Sequence, residues 1–222
     1  MIDLARRATD VERLDAGVPD DEALRSLADL RFVDRWLGNR RAFTSAVLPF
    51  LGGAMRPRIL DVGCGSGNVL SGLRRAAGGR AIAVGVDIRL LHLNAAPADI
   101  LRVVADARTL PFPARSFDVV TASLFLHHFD APELLDVLRG LYALARRALV
   151  VNDLRRAWVP YVFGRAFFKV LFRSPVSVSD GLLSIRRAFR PDELAEAFAT
   201  AGITGVRIHR TFPYRLIAVA ER

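Results

Sequence analysis

Residues 61–67 read Asp-Val-Gly-Cys-Gly-Ser-Gly, directly after the apolar stretch Ile59-Leu60. An apolar strand that runs into glycines at alternate positions and then into a helix-like segment, Asn68 to Ala77, admits few folds. The glycines let the backbone turn sharply and let a ligand lie on bare main chain. The following helix offers its first N–H groups to that ligand. The chain is therefore expected to be α/β, with a small-molecule cradle at the end of its first strand.

The rest of the pattern extends this reading. Apolar runs predict strands near 58–63, 81–87, 101–105, 117–124, 148–153, 205–211 and 214–220. Helical spacing fills most gaps, near 67–77, 131–146 and 191–201, whereas Leu90 to Asp99 is too short and irregular for a full helix. Strict alternation implies a doubly wound, mostly parallel sheet of seven strands. The short link Phe212-Pro213 makes the last strand antiparallel. The first fifty residues are helical in pattern, with Asp20-Asp21-Glu22 as an acidic helix start and Leu24, Leu27 and Leu30 on one face. The division expected within one 222-residue domain is a helical cap (1–50), a ligand-binding core (55–153), an insertion (155–190) and a C-terminal helix with a hairpin (191–222).

Three carboxylates fall at successive strand ends: Asp61 in the turn, Asp87 after Val84-Gly85-Val86, and Asp106 after Val103-Val104-Ala105. Ligands of open parallel sheets bind at carboxyl ends, so all three should rim one crevice. Asp87 is placed to accept from ribose hydroxyls. Asn68 stands where a last glycine would complete a Gly-x-Gly-x-x-Gly dinucleotide turn, and Asp61 would repel a pyrophosphate while suiting an ammonium group. Asp106 with Ala107 suits an adenine edge against a small apolar surface.

In these residues the chain resembles the class I S-adenosylmethionine-dependent methyltransferases. The likeness rests on Ile59 to Gly67, Asp87, Asp106-Ala107, Leu110-Pro111-Phe112, Phe117-Asp118-Val119-Val120 and Ser123-Leu124-Phe125-Leu126-His127-His128-Phe129. It is strong over about 55–153 and loose in the C-terminal third. It implies a seven-stranded Rossmann-like sheet with a reversed last strand. It also implies S-adenosylmethionine as cofactor and S-adenosylhomocysteine (SAH) as product. By the same resemblance, Asp61, Gly63, Gly65 and Gly67 would contact the methionine part, Asp87 and Ile88 ribose and adenine, Asp106 and Ala107 adenine. Ser123 and Leu124 would lie beside the cofactor.

The acceptor is less constrained. The family's enzymes for exocyclic base amines carry Asn/Asp-Pro-Pro-aromatic after the fourth strand, where this chain has Ala122-Ser123-Leu124-Phe125. Cytosine C5 chemistry needs a cysteine at the substrate, and the sole cysteine, Cys64, sits in the glycine turn. Candidate proton acceptors are His127 and His128, placed at the end of the fourth strand where alternation lets only one reach the crevice, and Asp153 at the end of the fifth. Trp36, Phe43, Trp158, Tyr161, Phe163, Phe167, Phe168 and Phe172 are expected to wall an apolar pocket for a hydrophobic small molecule, a phenol, enol or activated carbon of quinone or natural-product type. Metal-ligand spacing is not found, so no metal is expected.

Bulk properties bear on partners. Net charge is +9, carried by scattered arginines and one lysine, Lys169. Without a dense basic run, nucleic acid is not the expected partner, although an RNA or protein methyltransferase, or a cofactor-binding protein without turnover, would share the motifs. Asp3, Arg6, Arg7 and Asp10 interrupt any signal peptide, and no apolar run reaches the roughly eighteen residues of a membrane span. The expectation is a cytoplasmic protein. Trp158 to Phe172 is amphipathic, and it reads as a packed helix, a lid over the acceptor, or a helix resting on a membrane surface.

Overall fold

The computed structural model describes residues 3–36 and 39–222, the last three of the first stretch by backbone alone. Its elements in chain order are α1 (Arg13–Ala16), α2 (Asp20–Trp36), α3 (Arg40–Val47), β1 (Arg58–Val62), α4 (Asn68–Ala76), β2 (Ile82–Asp87), α5 (Leu90–Asn94), β3 (Leu101–Val104), β4 (Phe117–Ser123), α6 (Ala131–Leu144), β5 (Ala145–Leu154), α7 (Trp158–Leu171), α8 (Pro175–Arg187), α9 (Pro191–Thr200), β6 (Arg207–Thr211) and β7 (Arg215–Glu221).

The seven strands form one sheet in the order β3-β2-β1-β4-β5-β7-β6. β1 to β5 are parallel, and β7 runs antiparallel to both its neighbours. The order reverses between β1 and β4, so the crevice for a ligand opens there, at the carboxyl ends. Strand alternation divides the core between two faces. Leu60, Val62, Val120, Leu149 and Val151 pack with Leu134, Leu138 and Leu141 of α6 and Leu194 and Phe198 of α9. Ile59, Val119, Ala148 and Val150 pack with Phe43 and Val47 of α3 and Leu70 and Leu73 of α4. Both faces are covered, which explains why these strands read as unbroken apolar runs.

The N-terminal helices depart from the expected face. α2 starts at Asp20 as its acidic turn suggests, but Leu24 and Leu30 are 44% exposed while Ala23, Ser26, Leu27 and Asp29 are buried. The reason lies in the turn that leads into α8, whose backbone N–H groups need acceptors. Asp29 takes the N–H groups of Arg173 and Ser174, and Ser26 Oγ meets Ser177 Oγ at 3.1 Å. α2 therefore presents a polar stripe to α8. α7 and α8 fill the insertion after β5 as a packed helix pair, sealed by Leu4, Tyr161, Phe168 and Ile185.

Candidate active site

The glycine turn joins β1 to α4. Gly63, Gly65 and Gly67 have φ of +69°, +52° and +67°, a region in which a side chain is strained. A Cβ at Gly63 would lie 2.1 Å from the Phe125 ring, whereas one at Gly65 would meet nothing within 4 Å. Gly65 thus leaves open space over its main chain, as a ligand lying on the turn requires. Asp87 braces the turn: Oδ2 accepts from Gly65 N at 2.9 Å and Oδ1 from Arg89 N at 2.9 Å. His92 Nδ1 stands 3.3 Å from Oδ1. Each carboxylate oxygen has a second lone pair for a ribose hydroxyl. These residues fit the cofactor that the motif implies. Cys64 lies under the turn, donating its N–H to Val86 O. Burial, with the charges of Asp61 and Asp87, pushes its thiol up, so it stays protonated and unreactive.

The other expected cofactor residues surround the same edge. Asp61 is 1% exposed, on the face covered by α3 and α4, and accepts from Thr121 Oγ1 at 2.7 Å. Ile88 is exposed just beyond Asp87. The Asp106 carboxylate is held by the Arg108 guanidinium and backbone N–H, which lower its pKa. Ala107 beside it is half-buried and packs on the core. Ser123 Oγ receives the Asn152 amide at 3.0 Å, and Leu124, at φ +54°, donates its N–H to Asn152 O.

The histidines do not sit on a strand. β4 ends at Ser123, and Leu126–His128 form a 3₁₀ turn. The alternation expected of them therefore fails, and the two rings stack at 4.4 Å with a 31° tilt. His127 is buried: Nδ1 lies 2.6 Å from Asp153 Oδ1 and Nε2 3.6 Å from Glu12 Oε1. Burial alone would lower its pKa, but the charges and hydrogen bonds of Asp153 and Glu12 outweigh that and raise it to about 9. Asp153, fully buried, and Glu12 are correspondingly held below the usual carboxylate range, because the imidazolium offsets their desolvation. His128 keeps partial access to solvent and places Nδ1 2.6 Å from Asp15 Oδ2.

Glu12 and Asp15, three residues apart at the start of α1, were not legible as site residues. Their segment is tied over the sheet edge by distant groups. Asp180 of α8 accepts from the N–H of Arg13 and Leu14 at 3.0 and 2.9 Å. Arg187 donates to His127 O at 2.9 Å and His128 O at 2.6 Å, and Arg7 to His127 O at 3.2 Å and Phe129 O at 3.0 Å. Arg89, two residues after Asp87, donates to Asp15 O at 2.8 Å, joining the two halves of the site. Glu12, His127 and His128 also bring one donor atom each within 4.8 Å of one another, a spacing a divalent cation spans. The same residues are already paired: His127 with Asp153 and Glu12, and His128 with Asp15.

The expected aromatic pocket does not assemble among the described residues, and the Trp36 side chain lies outside them. Phe43 belongs to the core, Tyr161 and Phe168 are buried with Leu4 and Ile185, and Phe172 stacks on Phe168 at 4.6 Å. Trp158, Phe163 and Phe167 face outward, 53, 43 and 50% exposed. The stripe α7 buries is Tyr161, Gly164 and Phe168, against α8, which turns the remaining rings away from the sheet. The cavity beside the crevice, ≈ 470 Å³, is instead lined by Arg40, Arg41, Thr44, Arg75, Ser123 and Asn152, with Phe43, Ser45, Val69 and Gly72 completing the wall.

Comparison with known proteins agrees with this geometry. Residues 59–148 match the family model described as a methyltransferase domain. The chain is 36% identical over 138 residues to 27-O-demethylrifamycin SV methyltransferase of Amycolatopsis mediterranei, covering 58% of this chain and 45% of that protein. It is 35% identical over 83 residues to the mitochondrial arginine-hydroxylase NDUFAF5 of Rattus norvegicus, covering 36% and 24%. The chain thus spans less than half the length of the curated relatives it matches. Among solved structures, the plantazolicin methyltransferase BpumL in complex with a triazolic desmethylPZN analog and SAH shares the fold, with a TM-score of 0.68, 16% identity, and coverage of 90% of this chain and 96% of that one. Glycine turn, strand-end carboxylates and family match coincide on one segment: residues 59–148 are the part of the chain that matches a methyltransferase domain.

Proposed function

We propose that the chain transfers a methyl group to an oxygen of a small-molecule acceptor, a phenol or enol of natural-product type. When bound, S-adenosylmethionine supplies an electrophilic methyl group. The protein's residues hold that cofactor through the Gly63–Gly67 turn and Asp87, and they prepare the acceptor. The observation that carries the oxygen assignment is the His128–Asp15 pair. With Nδ1–H donating to Asp15, Nε2 of a neutral His128 keeps its lone pair and is free to take a hydroxyl proton. His127, as an imidazolium at neutral pH, has no lone pair to offer. We assign it and Asp153 a positioning role, fixing the turn that presents His128.

The rifamycin relative's name, which specifies an O-methyl group, supports the same class of acceptor. Arg40, Arg41 and Arg75 in the cavity wall, with Thr44 and Ser123, suit an acceptor with polar or acidic substituents around its apolar rings. The hydroxylase relative favours a second reading, a core that keeps the cofactor but performs other chemistry. Incubation with methyl-labelled S-adenosylmethionine and a source-cell lysate separates the two. Label in the organic-soluble fraction is the expected result. Label in RNA or protein would contradict the acceptor class, and bound cofactor without any labelled product would favour the second reading.

A further inference from the structure

Helix α7 is apolar nearly all round, yet only one side of it is covered. Tyr161, Gly164 and Phe168 turn inward. Val159, Val162, Phe163, Phe167 and Val170 turn outward and are 59, 58, 43, 50 and 84% exposed. At about 100° per residue these five fall within an arc of about 140°. Arg165 and Lys169 stand together along one border of that arc. Between Asp153 and Asp180 the chain has five cations, Arg155, Arg156, Arg165, Lys169 and Arg173, and no carboxylate. None of the residues lining the ≈ 470 Å³ cavity comes from α7, so the exposed face is not a wall of that cavity.

We propose that this face docks α7 on an anionic lipid surface. An apolar patch of this kind, left open beside cations, marks an interaction site. Acyl chains would take the apolar arc, and lipid phosphates would take Arg165 and Lys169. Charge argues against a second copy as the occupant: antiparallel pairing through this face sets the Arg165 and Lys169 border of one copy against the same border of the other, with no carboxylate on the helix to compensate. α7 begins five residues after Asp153, at the carboxyl end of β5. Docking would therefore bring the edge of the sheet that carries the site toward the lipid. The proposal concerns binding alone and stands or falls independently of methyl transfer.

The test uses the two tryptophans of the chain, Trp36 and Trp158. In a Trp36→Phe protein, Trp158, half-exposed at the start of α7, reports alone. The protein is mixed with vesicles of phosphatidylcholine, and of phosphatidylcholine with phosphatidylglycerol, and followed by sedimentation and fluorescence. The expected result is binding to the anionic vesicles with a blue shift of Trp158. Binding should weaken by about tenfold or more in Arg165→Glu/Lys169→Glu and in Phe163→Ser/Phe167→Ser. These side chains are exposed, so the melting temperatures of the variants should match the parent. Failure to bind anionic vesicles, equal binding to both vesicle types, or unchanged binding by the variants would overturn the proposal. So would a dimer seen by light scattering that the Phe163→Ser/Phe167→Ser variant dissolves, which would give the face to a second copy.

Discussion

His127 lies between Asp153 and Glu12 with no access to bulk water, and its charge state follows from that enclosure. Its folded pKa, about 9, is above the unfolded value of about 6.5. A raised pKa contributes stability in full below the unfolded value and loses it as pH rises through the folded one. Glu12 and Asp153 are shifted down, so their contribution is present above ordinary carboxylate values and is lost on acidification. The melting temperature is expected to fall between pH 6.5 and 9.5. His127→Asn should be less stable from the outset, by about 3 kcal/mol for a broken buried pair, and its melting temperature should fall less over the same range. A parent flat across that range would show that His127 is neutral. His128 carries a different expectation. His128→Gln and Asp15→Asn should each lower kcat, by about 10²-fold for a lost general base, and leave SAH affinity within a factor of about two. Equal loss of affinity would place the pair in cofactor binding instead. The sequence displayed both histidines but not their inequality, because what separates them is Glu12, more than a hundred residues away.

At the scale of elements, the strands and the helices of the core were legible because each has one period and one buried face. β1 to β5 read as apolar runs, and the irregularity of Leu90 to Asp99 is the five-residue α5. The helices outside the core were harder. α2 buries Ser26 and Asp29 in place of Leu24 and Leu30, since the backbone N–H groups of Arg173 and Ser174, just before α8, need an acceptor. α7 is apolar on both sides, so periodicity could not say which rings line a pocket. The strap through α1 depends on one side chain of another element: Asp180, its pKa raised by burial, caps Arg13 and Leu14. Asp180→Ala is expected to speed hydrogen exchange at residues 12–16 severalfold and to lower turnover through Asp15, while the amides of β1 and β4 exchange as before. Exchange unchanged at 12–16 would mean that the arginines hold the strap without Asp180.

For the whole molecule, strand order 3-2-1-4-5-7-6 brings Asp87, the glycine turn, Ser123 and the histidine turn to one edge; alternation led to a shared crevice for the carboxylates, and the resemblance placed Ser123 there. The use of arginine was not. A net charge of +9 suggests an exposed basic surface, yet Arg7, Arg156 and Arg187 donate to main-chain carbonyls of the N-terminal segment and the histidine turn. They act as internal ties. A chelator is expected to change neither melting temperature nor methyl transfer, because Asp153 and Asp15 already pair with the two histidines. A fall in either would assign a cation to that cluster. Everything else in the molecule's proposed chemistry depends on the cofactor site, and calorimetric titration with SAH tests that site directly. The parent should bind one equivalent, and Asp87→Ala should bind at least about tenfold more weakly, as expected for loss of charge-assisted hydrogen bonds, with the fold intact by circular dichroism. A parent that does not bind SAH, or an Asp87→Ala protein that binds it equally well, would contradict the central claim.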